Sequence, residues 1–148
     1  MITGEVIKNA LNLISSSAAN YEYFFNSLKK PDWIEPLWKE GRFRGPPAVR
    51  REKGYISFPA WPESQYLARM AGKVPSLVQE VILGIPQTDN VRVHQDYVEA
   101  ALEMPAEIAI YIAEAEANWI REQATLYTLY PEKAGELISY LARRGATS

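Results

Sequence analysis

Apolar residues recur along this chain at the three- and four-residue spacing of a helix face, and polar or proline-rich stretches separate the runs. Val6, Ile7, Ala10, Leu11 and Ile14 make the first stripe, with Thr3 placed to cap it. Ser15-Ser16-Ser17 breaks the pattern and offers caps to a second helix carrying Tyr21, Phe24, Phe25 and Leu28, which stops before Pro31. Asp32 is predicted to cap a short helix from Trp33 to Glu40, made irregular by Pro36 and closed by Gly41. Glu63 to Gly72 then reads as a helix, and Pro75 opens another through Leu83. Asn90 caps a helix bearing Val91, Val93, His94, Tyr97, Val98, Ala101 and Leu102, which ends at Met104-Pro105. An Ala-rich helix follows from Ala106 to about Gln123, with Ile108, Ile112, Ala115, Trp119 and Ile120.

Leu126, Tyr127, Leu129 and Tyr130 form an apolar connector, and Pro131 starts a last helix with Ala134, Leu137, Ile138 and Leu141 on one face. The shared periodicity predicts a single helical layer burying Phe24, Phe25, Trp33, Leu67, Val78, Ile82, Val98, Leu102, Trp119 and Leu137. The apolar area at the C-terminal end exceeds what one end helix needs, so self-association through it, or through opposite charged faces, is expected.

The stretch from about 42 to 62 is of another kind. Gly45-Pro46-Pro47 and Phe58-Pro59-Ala60-Trp61-Pro62 cannot be helical, because proline removes backbone donors and restricts the residue before it. Tyr55-Ile56-Ser57-Phe58 between them has the alternation of a short extended piece. The expectation is an ordered insertion in an all-α fold, with Phe43, Phe58 and Trp61 tied to the helices and Arg50-Arg51-Glu52-Lys53 as its exposed tip.

Thr88-Asp89-Asn90-Val91-Arg92-Val93 and Ala100-Ala101-Leu102 stand where α-helical repeats of the HEAT type place a capping turn, a Val-Arg pair and a small-small-Leu run. Over residues 63–104 the chain resembles a HEAT unit. The resemblance implies an α-solenoid in which each unit buries its face only by stacking on its neighbours. The 21-residue insertion departs from a regular array. Phe24-Phe25, Trp33 to Leu37 and Phe58 to Pro62 also resemble the start of a group of large bacterial proteins, in which a helical-repeat region precedes further domains. That resemblance implies that the single domain, residues 1–148, is an N-terminal portion of something longer.

Composition narrows the function. The net charge is −2 and the pI about 5.5, so the whole surface is not that of a nucleic-acid binder. Charge is nevertheless divided: residues 38–53 hold six basic side chains and two acidic ones, while 94–123 hold seven acidic and one basic. Cysteine is absent, which removes disulfides, thiolate nucleophiles and Cys-ligated metals. The N-terminus lacks the pattern of a signal peptide, and no segment approaches a membrane span, so a cytoplasmic location is expected.

Chemical motifs are scarce. No Gly-x-Ser-x-Gly elbow or Gly-rich phosphate loop occurs. His94 stands alone and reads as a packed or capping residue. Glu99, Glu103 and Glu107 lose their common register at Pro105, and these, with Glu114 and Glu116, read as solvated. Arg42, Arg44, Arg50, Arg51 and Lys53 beside Trp61 are the best candidate binding set. The expectation is a non-enzymatic scaffold without cofactor or metal that contacts a protein or further domains of its own polypeptide. The alternative is a nucleic-acid-binding module using the basic 42–53 loop.

Overall fold

The computed structural model describes residues 2–14 and 17–122; the apolar connector and the last predicted helix, with Leu137, Ile138 and Leu141, lie outside them. Within that range the chain is mostly helical, with α1 (Gly4–Ile14), α2 (Ala18–Ser27), α3 (Ile34–Lys39), α4 (Pro62–Met70), α5 (Pro75–Leu83), α6 (Val91–Leu102) and α7 (Ala106–Glu122). The only sheet among the described residues is an antiparallel hairpin of β1 (Arg50–Glu52) and β2 (Tyr55–Ser57) inside the insertion.

Local chemistry accounts for most element ends. The hydroxyl of Thr3 accepts from the Val6 amide at 3.2 Å, and that of Ser17 from the Asn20 amide at 3.1 Å. Pro62 and Pro75 begin α4 and α5, where a missing N–H costs nothing. Gly41 follows α3 with φ +78, a left-handed conformation that closes the helix. Asp32 corrects one expectation. Pro31–Trp33 forms a 3-10 turn that runs straight into α3, so Asp32 lies within the turn and no side chain caps α3.

Packing follows an alternating order. α4 lies against α6 and against α2, α5 lies against α7, and α6 also packs on α7. Leu67, Val78, Val81, Val93, Val98 and Ala109 are fully buried between them, and Ala100 and Ala101 let the helices approach closely. Phe25 is buried as well, while Phe24, Trp33 and Leu102 are half-buried at the margin of the same core. Three edge-to-face contacts link Tyr21, Phe24, Phe25 and Trp33, with centroids 5.1–5.5 Å apart.

The α2 end is closed from α4. Arg69 donates to the carbonyl oxygens of Phe25 at 2.7 Å and Leu28 at 3.4 Å, the Tyr66 hydroxyl to Lys30 O at 2.5 Å, and the Lys73 ammonium to Lys29 O at 3.0 Å. Cations at a helix C-terminus are favoured by the macrodipole, and here they also dock α2 on α4.

The insertion is ordered by burial and by one side chain. Phe43 and Trp61 are 1% and 2% exposed, and Phe58 is half-buried. Asn90, fully buried ahead of α6, accepts from the Arg92 amide at 3.0 Å and donates through Nδ2 to Pro47 O at 3.0 Å and Pro59 O at 2.8 Å. The cap of α6 thus holds both arms of the insertion. At the hairpin turn Gly54 has φ +95, which lets Glu52 and Tyr55 pair across only two residues.

Candidate interaction site

The structure divides the predicted basic set in two. Arg42 turns inward at the end of α3. Its Nη2 lies 3.4 Å from Glu63 Oε2, its guanidinium covers the Tyr21 ring at 5.6 Å, and the Tyr21 hydroxyl donates to the same carboxylate. Glu63 is 3% exposed, and burial pushes its carboxyl and the Tyr21 hydroxyl up from their ordinary values. Arg42 Nε is buried without an acceptor. A hollow of about 370 Å³ opens beside the cluster, lined by Arg42, Arg50, Trp61, Glu63, Pro47 and Pro59.

Arg44, Arg51 and Lys53 lie outside that hollow and are exposed, as is Arg50. Trp61 acts as the apolar plug expected of it. Nearly all its surface is covered, so it offers no face for stacking on a base. The exposed aromatic of the insertion is instead Tyr55, 57% accessible, beside Ile56 at 53%. Tyr55 donates to Glu52 across the hairpin. Their alternation was legible in the sequence, but which face would be covered was not. Neither face of this hairpin packs deeply on the helices.

A second concavity lies between α4 and α6. Gln65 and Arg69 on one side and Arg92, Gln95, Asp96 and Glu99 on the other enclose about 640 Å³. Asp96 Oδ2 meets the hydroxyl of Ser64 at 2.6 Å, and the same hydroxyl lies 3.1 Å from the carbonyl of Trp61. One hydroxyl proton cannot serve both acceptors. Burial, opposed by that hydrogen bond, pushes the Asp96 carboxyl up to about 6. Protonated, Asp96 donates to Ser64, which is then free to donate to Trp61.

The third polar feature overturns the reading of Glu116 as solvated. Glu116 is 5% exposed and its carboxylate lies 2.7 and 2.9 Å from His94 Nδ1. Its position on α7 puts it on the buried face with Ala109, Ile112 and Trp119, a face that spacing alone did not assign to a carboxylate. His94 Nε2 faces the carbonyl of Thr88 at 2.8 Å, and the imidazole stacks on Trp119 at 3.6 Å between centroids. Both ring nitrogens are engaged, so His94 joins α6, α7 and the loop before α6, in keeping with the packed role read for it. The adjacent Tyr97 hydroxyl is buried without a partner. Glu99, Glu103, Glu107 and Glu114 are exposed.

Among the described residues no three His, Asp or Glu side chains converge as a metal-binding group, and no helix is long and apolar enough to cross a membrane. No family model, curated protein or solved structure matches the chain.

Proposed function

We propose that this chain is a helical-repeat interaction module, non-enzymatic and cytoplasmic, that holds a protein partner or further domains of a longer polypeptide. The observation that carries the reading is the alternating packing order. α4 and α5 form one helix pair and α6 and α7 the next, with α4 against α6 and α5 against α7. Helix pairs stacked like on like are what the HEAT resemblance over 63–104 implies. The lone imidazole has both nitrogens engaged, which favours a binding role over proton transfer. Nuclease-treated extracts of cells producing the chain should yield a discrete protein on the immobilised chain. Loss of every bound protein on nuclease treatment, with nucleic acid recovered when the nuclease is left out, would defeat the reading.

A second reading rests on the hairpin. Arg50, Arg51 and Lys53 are exposed together with Tyr55, and Arg44 is exposed nearby, a set able to hold phosphates with one stacking ring. Oligonucleotide affinity that falls linearly on a log–log salt plot, and falls further in Arg50→Ala/Arg51→Ala, would favour it.

A further inference from the structure

We propose that the cleft between α4 and α6 receives an extended segment of a partner polypeptide that carries a lysine or arginine side chain. The inference rests on the interaction-module reading and assigns that module a groove and a ligand chemistry. Four observations converge on it.

The first is charge with little compensation. Asp96 is largely covered, and among the described residues no cation lies within 4.0 Å of it, Arg92 acting only from farther off, whereas the buried carboxylate Glu63 has Arg42 at 3.4 Å. Its one strong contact, the Ser64 hydroxyl, is contested by the Trp61 carbonyl. A desolvated carboxylate at the wall of a cleft gains more from an entering ammonium or guanidinium than an exposed one does.

The second is the orientation of Arg69. It borders the cleft, yet its guanidinium is committed to the carbonyl oxygens of Phe25 and Leu28 at the end of α2. The lining thus carries three carboxylates, Asp96, Glu99 and Glu103, and two guanidinium groups, of which that of Arg69 is held at the α2 end. The balance attracts a basic side chain and repels phosphates.

The third is the pair of glutamines. Gln65 on α4 and Gln95 on α6 are half-buried on the lining of the cleft. Each primary amide offers both donors and an acceptor, the complement of an extended peptide backbone whose N–H and C=O groups are unpaired. The fourth is size. A hollow of about 640 Å³ falls within the roughly 300–1,000 Å³ of ligand clefts. Its polar lining selects against an amphipathic helix presenting an apolar stripe.

The test is a nitrogen-15 NMR titration of the full chain with acetyl-Ala-Lys-Ala-Lys-Ala-amide. Its glutamate analogue and a single-stranded oligonucleotide serve as comparisons. The lysine peptide should shift amides of 65–69 and 92–103, and Asp96→Asn and Glu99→Gln should each weaken it about ten-fold while leaving the remaining spectrum in place. Glu99 is exposed, so its variant keeps the test open should Asp96→Asn fail to fold. Equal shifts with the glutamate peptide, displacement by the oligonucleotide, shifts confined to the hairpin, or unchanged affinity in both variants would each overturn the assignment. So would cleft shifts that appear on concentrating the free protein, since the occupant would then be a second copy. A protein partner that cross-links to the chain only through the hairpin, with the peptide inert at the cleft, sinks this inference and leaves the module reading standing.

Discussion

The side-chain amide of Asn90 donates to the carbonyl of Pro59 at 2.8 Å, across a separation of 31 residues. The same nitrogen reaches Pro47 O, while the amide oxygen caps α6. Aspartate is ordinarily as good an N-cap as asparagine. Here Asn90→Asp keeps the cap but loses both donated bonds and sets a fully buried carboxylate against two carbonyl oxygens. The substitution should cost roughly 2–4 kcal/mol, well beyond the ~1 kcal/mol of a lost cap alone. Urea unfolding checks this. If Asn90→Asp proves no more destabilising than replacement of a surface cap, the insertion is held by its aromatics alone.

A double-mutant cycle addresses His94 and Glu116. Each is nearly fully buried, and removal of either takes from the other the close contact between them. His94→Ala should destabilise by roughly 3–5 kcal/mol, part of it from the lost stack on Trp119. The cycle with Glu116→Gln should return a coupling above about 1 kcal/mol. Additive effects would mean that the ring is retained for its packing and that the pairing adds nothing.

Much of the helical plan was legible because it depends on local chemistry. Thr3, Ser17 and Asn90 cap where their position before an apolar stripe indicates, and Pro62, Pro75 and Gly41 punctuate as their backbone limits require. What escaped the sequence are pairings made over long separations. Glu116 meets His94 across 22 residues, Tyr21 meets Glu63 across 42, and Asn90 reaches Pro47 across 43. A periodicity argument gives each of these carboxylates to the solvent, since only a partner brought in by tertiary packing makes burial tolerable. The same limit applies to the basic loop. Arg42 and Arg50 share a sequence neighbourhood and a hollow, but one is paired inside and the other faces out.

Asp96 sets a pH dependence whose sign can be worked through. Its carboxyl rises from an ordinary 3.8 to about 6 in the folded chain, so between those values the folded state binds more protons than the unfolded one. The stabilisation by protonated Asp96 is complete below the lower value and is lost as pH rises through the upper one. The loss is on the order of 2 kcal/mol, discounted for partial exposure. Asp96→Asn mimics the neutral acid, with its amide donating to Ser64 while Ser64 donates to Trp61 O. The variant should gain stability over the parent as pH rises from about 4 to 6 and keep that gain at pH 7. Urea midpoints of both proteins across the range decide it, and a constant difference at every pH would contradict the assignment. At neutral pH the same substitution should therefore strengthen the fold while weakening the peptide contact proposed for the cleft.

Trp61 and the hairpin give opposite responses to the same probe. The indole is 2% exposed, between Pro59 and Pro62, which leave the backbone little freedom to lose on folding. Trp61→Ala should cost roughly 3–5 kcal/mol, and Trp61→Phe, which keeps a ring in the site, nearer 1.5 kcal/mol. Arg50 and Arg51 lie on a strand with three exposed residues, so trypsin reaches them without crossing a packed surface. In the parent, cleavage should occur first at these arginines. In Trp61→Ala, trypsin should also cut rapidly at Arg42, because the plug that closes the hollow beside it is gone. Equal rates at Arg42 in parent and variant would show that the ion pair with Glu63 protects this arm by itself. Trp61 would then fill space without fixing the insertion to the helices.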